Sequence, residues 1–380
     1  MKNIEKYLLR YIFIVCVFTS TNVIAQTTDG NKAEHDKKIT ALFACTSLII
    51  NDLSGNVYHG RGMEFTTDQI ITSLTYYPKG HVFQHQAPDK TLGLKYVAKY
   101  SILALTVPVS IVDNKDAMEG INEEGLSFSL NMITNSALKD IKSHDYKKSV
   151  PFASFGEWGL ANFATVQELK QAVNDVAFWS EELALIGGLK SPFHFAFYDK
   201  NGGSIVVEVL DGVLQVYDNP TGVMTNGPEF PWHLTNLNNY SHLSNIDKAV
   251  GKIGAMTLVQ PDSGIATSML PSSSTSVGRF VRAFYFSTFA NKVNDPDMQI
   301  VELSHIMNNF DRPKNITIDT IGEGEKSKES KYMTEFTVWT ALSDLSRGEL
   351  YVRLYSDLNY RKFTFDQFRN ELKTVSIPLK

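Results

Sequence analysis

Cysteine is almost absent from this sequence: among 380 residues only Cys16 and Cys45 occur. Cys16 lies in a short apolar run, Tyr11 to Phe18, that follows Lys2, Lys6 and Arg10 and precedes Val23-Ile24-Ala25. A basic start, a brief apolar stretch and a small residue before Gln26 read as a secretory signal peptide over residues 1–25, too short to span a bilayer. Val15 stands before Cys16 where a lipid-attachment site would carry a small residue. Removal of this segment leaves Cys45 without an intramolecular partner, which excludes a disulfide framework in a compartment that oxidises paired thiols.

Other shortages exclude other classes. No further run is long enough to cross a membrane, so the mature form is expected to have no stable membrane span and to be periplasmic or secreted. A formal net charge of -5 and a pI near 6.0 leave no electrostatic footprint for nucleic acid. Internal repeats and low-complexity tracts are missing. What remains, 43% hydrophobic and 20% charged, is ordinary globular material for which a small-molecule substrate is the default.

The stretch around the remaining thiol is the most informative. Cys45 opens a short apolar strand through Ile50, the chain turns at Asn51 to Asn56, and a second strand returns through Arg61, Met63, Glu64 and Phe65. That pattern is a hairpin which sets a nucleophile beside a cation. A lone buried cysteine also behaves as an inert small hydrophobe, so the thiol alone decides nothing. The polar segment 26–44 reads either as a flexible leader or as a pro-segment whose removal exposes the Cys45 amine.

Further along, Gln69 to Leu74 and His81 to Gln86 read as strands, as does Leu126 to Asn131, where apolar and small residues alternate. Ser154 and Thr165 each stand three residues before a glutamate, a capping-box spacing. A β-meander covers Phe193 to Tyr217 and leads to Asn226 before a Gly-Pro turn. Helices are expected from Arg279 and from Asp295-Pro296, the latter with Ile300, Leu303, Met307 and Phe310 inward. Charged Gly322 to Lys331 reads as a surface loop. Thr334 to Leu342 and Glu349 to Tyr355 read as a closing hairpin. Strands, helices, strands, helices, strands suit an α+β fold: a four-layer αββα sandwich of two antiparallel sheets.

Four separated stretches resemble one family, the choloylglycine hydrolases, which include penicillin V acylases and belong to the N-terminal-nucleophile (Ntn) hydrolases. They are Cys45-Thr46 with Gly60-Arg61 and the acid at Glu64; Asn122-Glu123-Glu124-Gly125-Leu126 to Asn131; Thr225-Asn226-Gly227-Pro228 with Leu237-Asn238-Asn239-Tyr240; and Ser276 to Arg282. The resemblance implies the Ntn-hydrolase fold as a single catalytic domain over residues 45–380, hydrolysis of a non-peptide C–N amide bond, and no cofactor. Carried over by motif, the catalytic roles fall on Cys45, Arg61, Glu64, Asn131, Asn226 and Arg279, with the two asparagines at the oxyanion. Many members have aspartate where Glu64 stands. A segment before Cys45 requires proteolytic maturation at Ala44-Cys45, autocatalytic by analogy, and the same analogy suggests a homotetramer.

The chemistry of those residues is coherent. A terminal cysteine carries its own base, because an α-amine with a pKa of roughly 7.7 to 8.0 can take the thiol proton. Arg61 and Arg279 are expected to lower the thiol from about 8.5, and Glu64 to receive a hydrogen bond from the amine. Met63 and Phe65, with the loop at Tyr76 and Tyr77, could form an apolar wall for the acyl group. Conjugated bile salts are the first expectation. Penicillin V and N-acyl homoserine lactones are the alternative, and an inactive ligand-binding relic of the fold is the rival from another class. A metal-dependent hydrolase built on His81 and His85 is a third rival, disfavoured because a site needs three or four ligands.

Overall fold

The computed structural model describes residues 43–66, 72–107, 116–134, 136–183, 188–320 and 332–379. The expected signal peptide, all of the leader but its last two residues, and the Gly322 to Lys331 loop lie outside them, as do the first residues of the Gln69 to Leu74 strand. The described residues belong to one compact unit.

Two antiparallel sheets organise the chain. The first contains β1 (Phe43–Asn51), β2 (Val57–Phe65), β10 (Val223–Met224), β11 (Phe336–Asp344), β12 (Glu349–Leu354) and β13 (Arg361–Thr364), in the order β10-β1-β2-β11-β12-β13. The second contains β3 (Ser73–Tyr77), β4 (Ile102–Val107), β5 (Asp116–Asn122), β6 (Leu126–Met132), β7 (Phe193–Asp199), β8 (Ser204–Leu210), β9 (Val213–Asp218) and β14 (Val375–Pro378), in the order β9-β8-β7-β6-β5-β4-β3-β14. The expected closing hairpin is β11–β12, but it does not end the chain. Strands β13 and β14 follow and extend one edge of each sheet. They are short and neither contains a fully buried residue, so they lack the apolar periodicity that betrays a strand in sequence.

Helices cover the two outer faces. Helix α1 (Phe155–Asn162) and helix α2 (Val166–Ala172) lie on the second sheet, where Phe155 packs 5.1 Å from Phe195 and 5.6 Å from Phe197 between ring centroids. Gly156 permits that approach: a Cβ there would stand 2.1 Å from the Phe128 ring. Thr165 caps α2 by accepting from Glu168 N at 3.2 Å. Ser154 makes no side-chain cap, because it ends a preceding 3-10 turn with φ -88° and ψ 11° and lacks the extended backbone of an N-cap, and Glu157 instead accepts from Ala117 N on β5. After the short helix α3 (Phe230–Asn236), helix α4 (Ser276–Phe289) and helix α5 (Pro296–Asn308) cover the first sheet. Asp295 caps α5, whose Ile300, Leu303 and Met307 are buried as expected.

Alternation along β1 and β2 decides what points where. Cys45 pairs with Met63 and Ser47 with Arg61, so these side chains share the face toward the second sheet. Gly60 and Gly62 fall on the opposite face, where a Cβ on Gly60 would meet Leu303 and Met307 at 2.9 Å. The run His59-Gly60-Arg61-Gly62-Met63 thereby aims large polar groups inward and lets α5 lie flat outside. On β6 the same rule sends Phe128 to the helices and Ser127, Ser129 and Asn131 between the sheets.

Candidate active site

The inter-sheet layer is polar at the end that holds Cys45. Arg61, only 1% exposed, crosses from the first sheet to the second. Its Nη2 donates to Cys45 Sγ at 3.2 Å and to Leu130 O, and its Nε to Asn131 Oδ1 at 3.3 Å. Trp339 lies against the guanidinium, 5.0 Å from ring centroid to Cζ. The Nη1 group is buried and has no hydrogen-bond partner among the described residues.

Asn226 links the nucleophile strand to α4. Its Oδ1 accepts from Cys45 N at 2.9 Å and from Arg279 Nη2 at 2.7 Å, while its Nδ2 donates to Met132 O at 2.8 Å. Its backbone is held at both ends, by Ser276 Oγ on the N–H at 3.0 Å and by His233 Nε2 at the carbonyl at 2.9 Å. Asn131 donates through Nδ2 to Thr225 O at 2.6 Å. Each asparagine amide has a second N–H beyond the bond it already makes.

Arg279 sits near the start of α4 and is 1% exposed. It donates to Cys45 O, to Thr46 Oγ1 at 2.9 Å and to Ser274 O at 3.0 Å, besides Asn226. A guanidinium can satisfy four acceptors in one fork, which an ammonium cannot.

The expected residues therefore stand as follows. Cys45, Arg61, Asn131, Asn226 and Arg279 form one hydrogen-bonded cluster. Glu64 is fully buried on the helix side of β2 and accepts from Thr337 Oγ1 at 3.2 Å, while its other oxygen has no hydrogen-bond partner among the described residues. The bond from the Cys45 nitrogen goes to Asn226 rather than to Glu64 in this uncleaved chain. Burial pushes the Glu64 carboxyl up to about 7, against the pull of Arg279 and Arg312.

Met63 faces inward beside Cys45 and, like Phe65, is nearly completely buried. The Tyr76 and Tyr77 part of the expected apolar wall is elsewhere. Tyr76 aligns through Leu103 and Ile121 with Ser127, three strands across and four residues along β6 from Asn131, a separation of roughly 20 Å by sheet geometry. Tyr76 stacks on Phe368 at 4.9 Å instead. His81 contacts Thr374 Oγ1 and His85 contacts Tyr96 OH, both at 3.2 Å. Among the described residues no group of His, Cys, Asp and Glu could hold a metal ion.

The acidity of the thiol differs from the sequence expectation. Burial pushes Cys45 up to about 11, and Glu64 adds to the rise, while Arg61 and Arg279 oppose it without prevailing. Two arginines do not by themselves make a thiolate in a site this dry. A base must remove the proton, and the Cys45 nitrogen is a peptide N–H here, still joined to Ala44.

Several polar groups of the site escaped sequence reasoning. Ser47 Oγ lies 3.0 Å from His59 Nε2 and 2.9 Å from Tyr198 OH, and Glu119 lies 3.7 Å from Arg61 Nε. The available signal was polarity at inward positions of strands, as with His59 two residues before Arg61. Thr225 and Ser276 lay within quoted motifs, but their tie to each other, Oγ1 to Oγ at 2.9 Å, needs the fold.

Comparison with known proteins gives the family and the fold. The model of the family described as linear amide C-N hydrolases, choloylglycine hydrolase family, matches residues 45–375. The chain is 28% identical over 344 residues to a bile salt hydrolase/transferase of Clostridium perfringens, covering 87% of this chain and 96% of that protein. It is 30% identical over 290 residues to a bile salt hydrolase/transferase of Lactiplantibacillus plantarum, covering 74% and 82% respectively. A crystal structure of a variant conjugated bile acid hydrolase from Clostridium perfringens shares the fold, with a TM-score of 0.72 at 24% identity over 88% of this chain and 97% of that one.

Proposed function

The chain belongs to the choloylglycine hydrolase family of linear amide C–N hydrolases, and from that premise we propose that it is an exported cysteine amidase, matured at Ala44-Cys45, which cleaves conjugated bile salts. The observation that carries the reading is the hydrogen-bonded cluster in which Arg61, Asn226 and Arg279 bond Cys45 and Asn131 bonds Arg61. Cleavage before Cys45 converts its nitrogen from an amide into an amine adjacent to the sulfur. That amine supplies the base which the buried thiol lacks.

The amine takes the thiol proton, and sulfur attacks the carbonyl carbon of the substrate amide. Negative charge on the carbonyl oxygen is met by the second N–H of Asn131 and of Asn226, each such donor being worth on the order of 3 kcal/mol of barrier. The C–N bond breaks as the ammonium of Cys45 returns its proton to the leaving nitrogen, which departs as a free amino acid. Water then attacks the thioester carbon and gives a proton to the same amine, and the C–S bond breaks to release the acid as the ammonium returns that proton to the sulfur. Every proton is returned, so no cofactor is consumed.

Export rests on the basic and apolar pattern of residues 1–25. Among the described residues no helix is long and apolar enough to cross a membrane. The test is intact mass and N-terminal sequencing of the exported protein, with turnover of glycocholate, taurocholate, penicillin V and an N-acyl homoserine lactone. A chain beginning at Cys45 that releases glycine or taurine, and a Cys45→Ala variant that does not, are expected. Active protein beginning upstream of Cys45 would sink the terminal-amine mechanism, and preference for penicillin V would replace the substrate assignment.

A further inference from the structure

Arg61 reaches Cys45 with the tip of a long side chain that Leu130 O, Asn131 Oδ1 and the face of Trp339 hold, but none of these contacts carries a charge opposite to its own. The carboxylate that faces it is Glu119 on β5, 3.7 Å from Nε and 1% exposed. One hydrogen bond fixes this group, and a neutral imidazole packs against it. Ser129 Oγ donates to Glu119 Oε2 at 2.6 Å from the neighbouring strand β6, and His59 Nδ1 stands 3.2 Å from Oε1 on the opposite sheet. Burial and the charge on Arg61 push His59 down to about 3, so it is a neutral ring. Its Nε2 is placed by Ser47 at 3.0 Å and by Ser129 at 3.1 Å. Tyr198 closes the cluster through Ser47.

Resting on the terminal-nucleophile reading above, we propose that Glu119 is a positioning residue that acts through Arg61. It anchors the guanidinium from behind so that Nη2 stays on the Cys45 sulfur. Arg61, His59, Tyr198, Ser129 and Ser47 are the polar groups facing it from the packed strands. Burial raises the Glu119 carboxyl to about 8, against the charge of Arg61 and the Ser129 hydrogen bond. The anchor is therefore about nine-tenths ionised near pH 9, where it is tested most sharply.

Two roles of Glu119 predict opposite signs. If Glu119 acted only as a distant negative charge, its neutralisation would make the Cys45 thiol more acidic. If it positions Arg61, neutralisation releases the guanidinium from sulfur and makes the thiol less acidic, because Arg61 is the larger of the two cationic influences on that thiol.

The experiment is the rate of Cys45 alkylation by iodoacetamide between pH 6 and 10.5 in the processed protein, where Cys45 is the only cysteine. Intact mass first confirms that parent and variant both begin at Cys45. Glu119→Gln is expected to slow alkylation at pH 9 about tenfold and to move the profile upward by about one pH unit. Glu119→Asp is expected to restore most of the rate. Ser129→Ala, which frees the carboxylate but keeps it, should shift the profile in the same direction by less, and it carries the test if Glu119→Gln does not fold or mature. In an Arg61→Lys background the Glu119→Gln effect should disappear.

A profile that is unchanged or moves downward in Glu119→Gln overturns the proposal, as does an undiminished effect in the Arg61→Lys background. If Ser129→Ala has to stand alone, an unchanged profile overturns it equally. Failure of the underlying mechanism is read separately, on the parent, as active protein that begins upstream of Cys45.

Discussion

Replacing Arg279 by lysine keeps the charge and removes the fork. The guanidinium donates to Cys45 O, Thr46 Oγ1, Asn226 Oδ1 and Ser274 O, and a single ammonium at the end of a shorter planar reach can retain about half of these. Hydrogen bonds to a charged group contribute about 1.5 to 3 kcal/mol each, and acceptors left buried lose at least as much. Loss of two therefore costs about 3 kcal/mol, roughly 4 °C in thermal midpoint at about 2.1 cal/mol/K of unfolding entropy per residue. The kinetic effect should be larger. Asn226 Oδ1 would keep only the Cys45 nitrogen as a partner, so kcat is expected to fall on the order of 100-fold, a loss typical of a displaced oxyanion donor. Arg282 on the same helix supplies the control: its Nη1 donates to Pro271 O and Ser273 O, away from the nucleophile strand. Arg282→Lys should lower the midpoint slightly and leave kcat within twofold. Calorimetry and turnover of glycocholate measure both. A midpoint within 1 °C of the parent and an unchanged kcat in Arg279→Lys would refute the claim that this fork holds the site together.

Other outcomes follow from the packing and from buried charge. Gly156→Ala drives a Cβ to 2.1 Å from the Phe128 ring, which has little room to yield, and should cost more than about 2 kcal/mol. Gly60→Ala meets only the flexible Met307 and a methyl of Leu303 at 2.9 Å and should cost less, a ranking that denaturant midpoints of the two variants check directly. Thr165→Ala removes the cap on Glu168 N and should cost about 1 kcal/mol by the same measurement. Stability should also peak in mildly acidic solution. Burial lowers His59 to about 3 and His85 and His233 to about 4, so the unfolded chain binds protons that the folded chain refuses, and stability falls as pH drops below about 6.5. Burial raises Glu119 and Glu181 to about 8 and Glu64 to about 7, so the stability they contribute is complete below about 4.5 and is lost as pH rises through 7 to 8. A thermal midpoint that keeps climbing from pH 6.5 to 9 would contradict this balance.

Much of the architecture was legible because alternation and capping are local. The Cys45 hairpin, the Leu126 to Asn131 strand, the Thr165 cap and the inward face of α5 all follow from patterns within ten or so residues, and the structure places them as expected. The candidate cluster was legible for a different reason. Its members lie in four short motifs whose order matches a known family, and that family is the one the chain matches over residues 45–375. Patterning could not find strands β13 and β14, neither of which contains a fully buried side chain, nor show that Tyr76 belongs with Phe368 and not with the nucleophile.

What the sequence determined by itself, then, is the set of faces. The period of two in Leu126-Ser127-Phe128-Ser129-Leu130-Asn131 separates the apolar side chains from the polar ones whatever packs against them. Which face meets which layer was decided only by tertiary structure. Here the apolar side lies under the helices while the serines and Asn131 lie between the sheets, opposite Ser47, His59 and Arg61. The same holds for electrostatics. A cysteine between two arginines in sequence motifs suggests an acidic thiol, yet the depth of burial outweighs both charges and raises its pKa to about 11. Desolvation depends on everything packed around a group, and no local pattern encodes it.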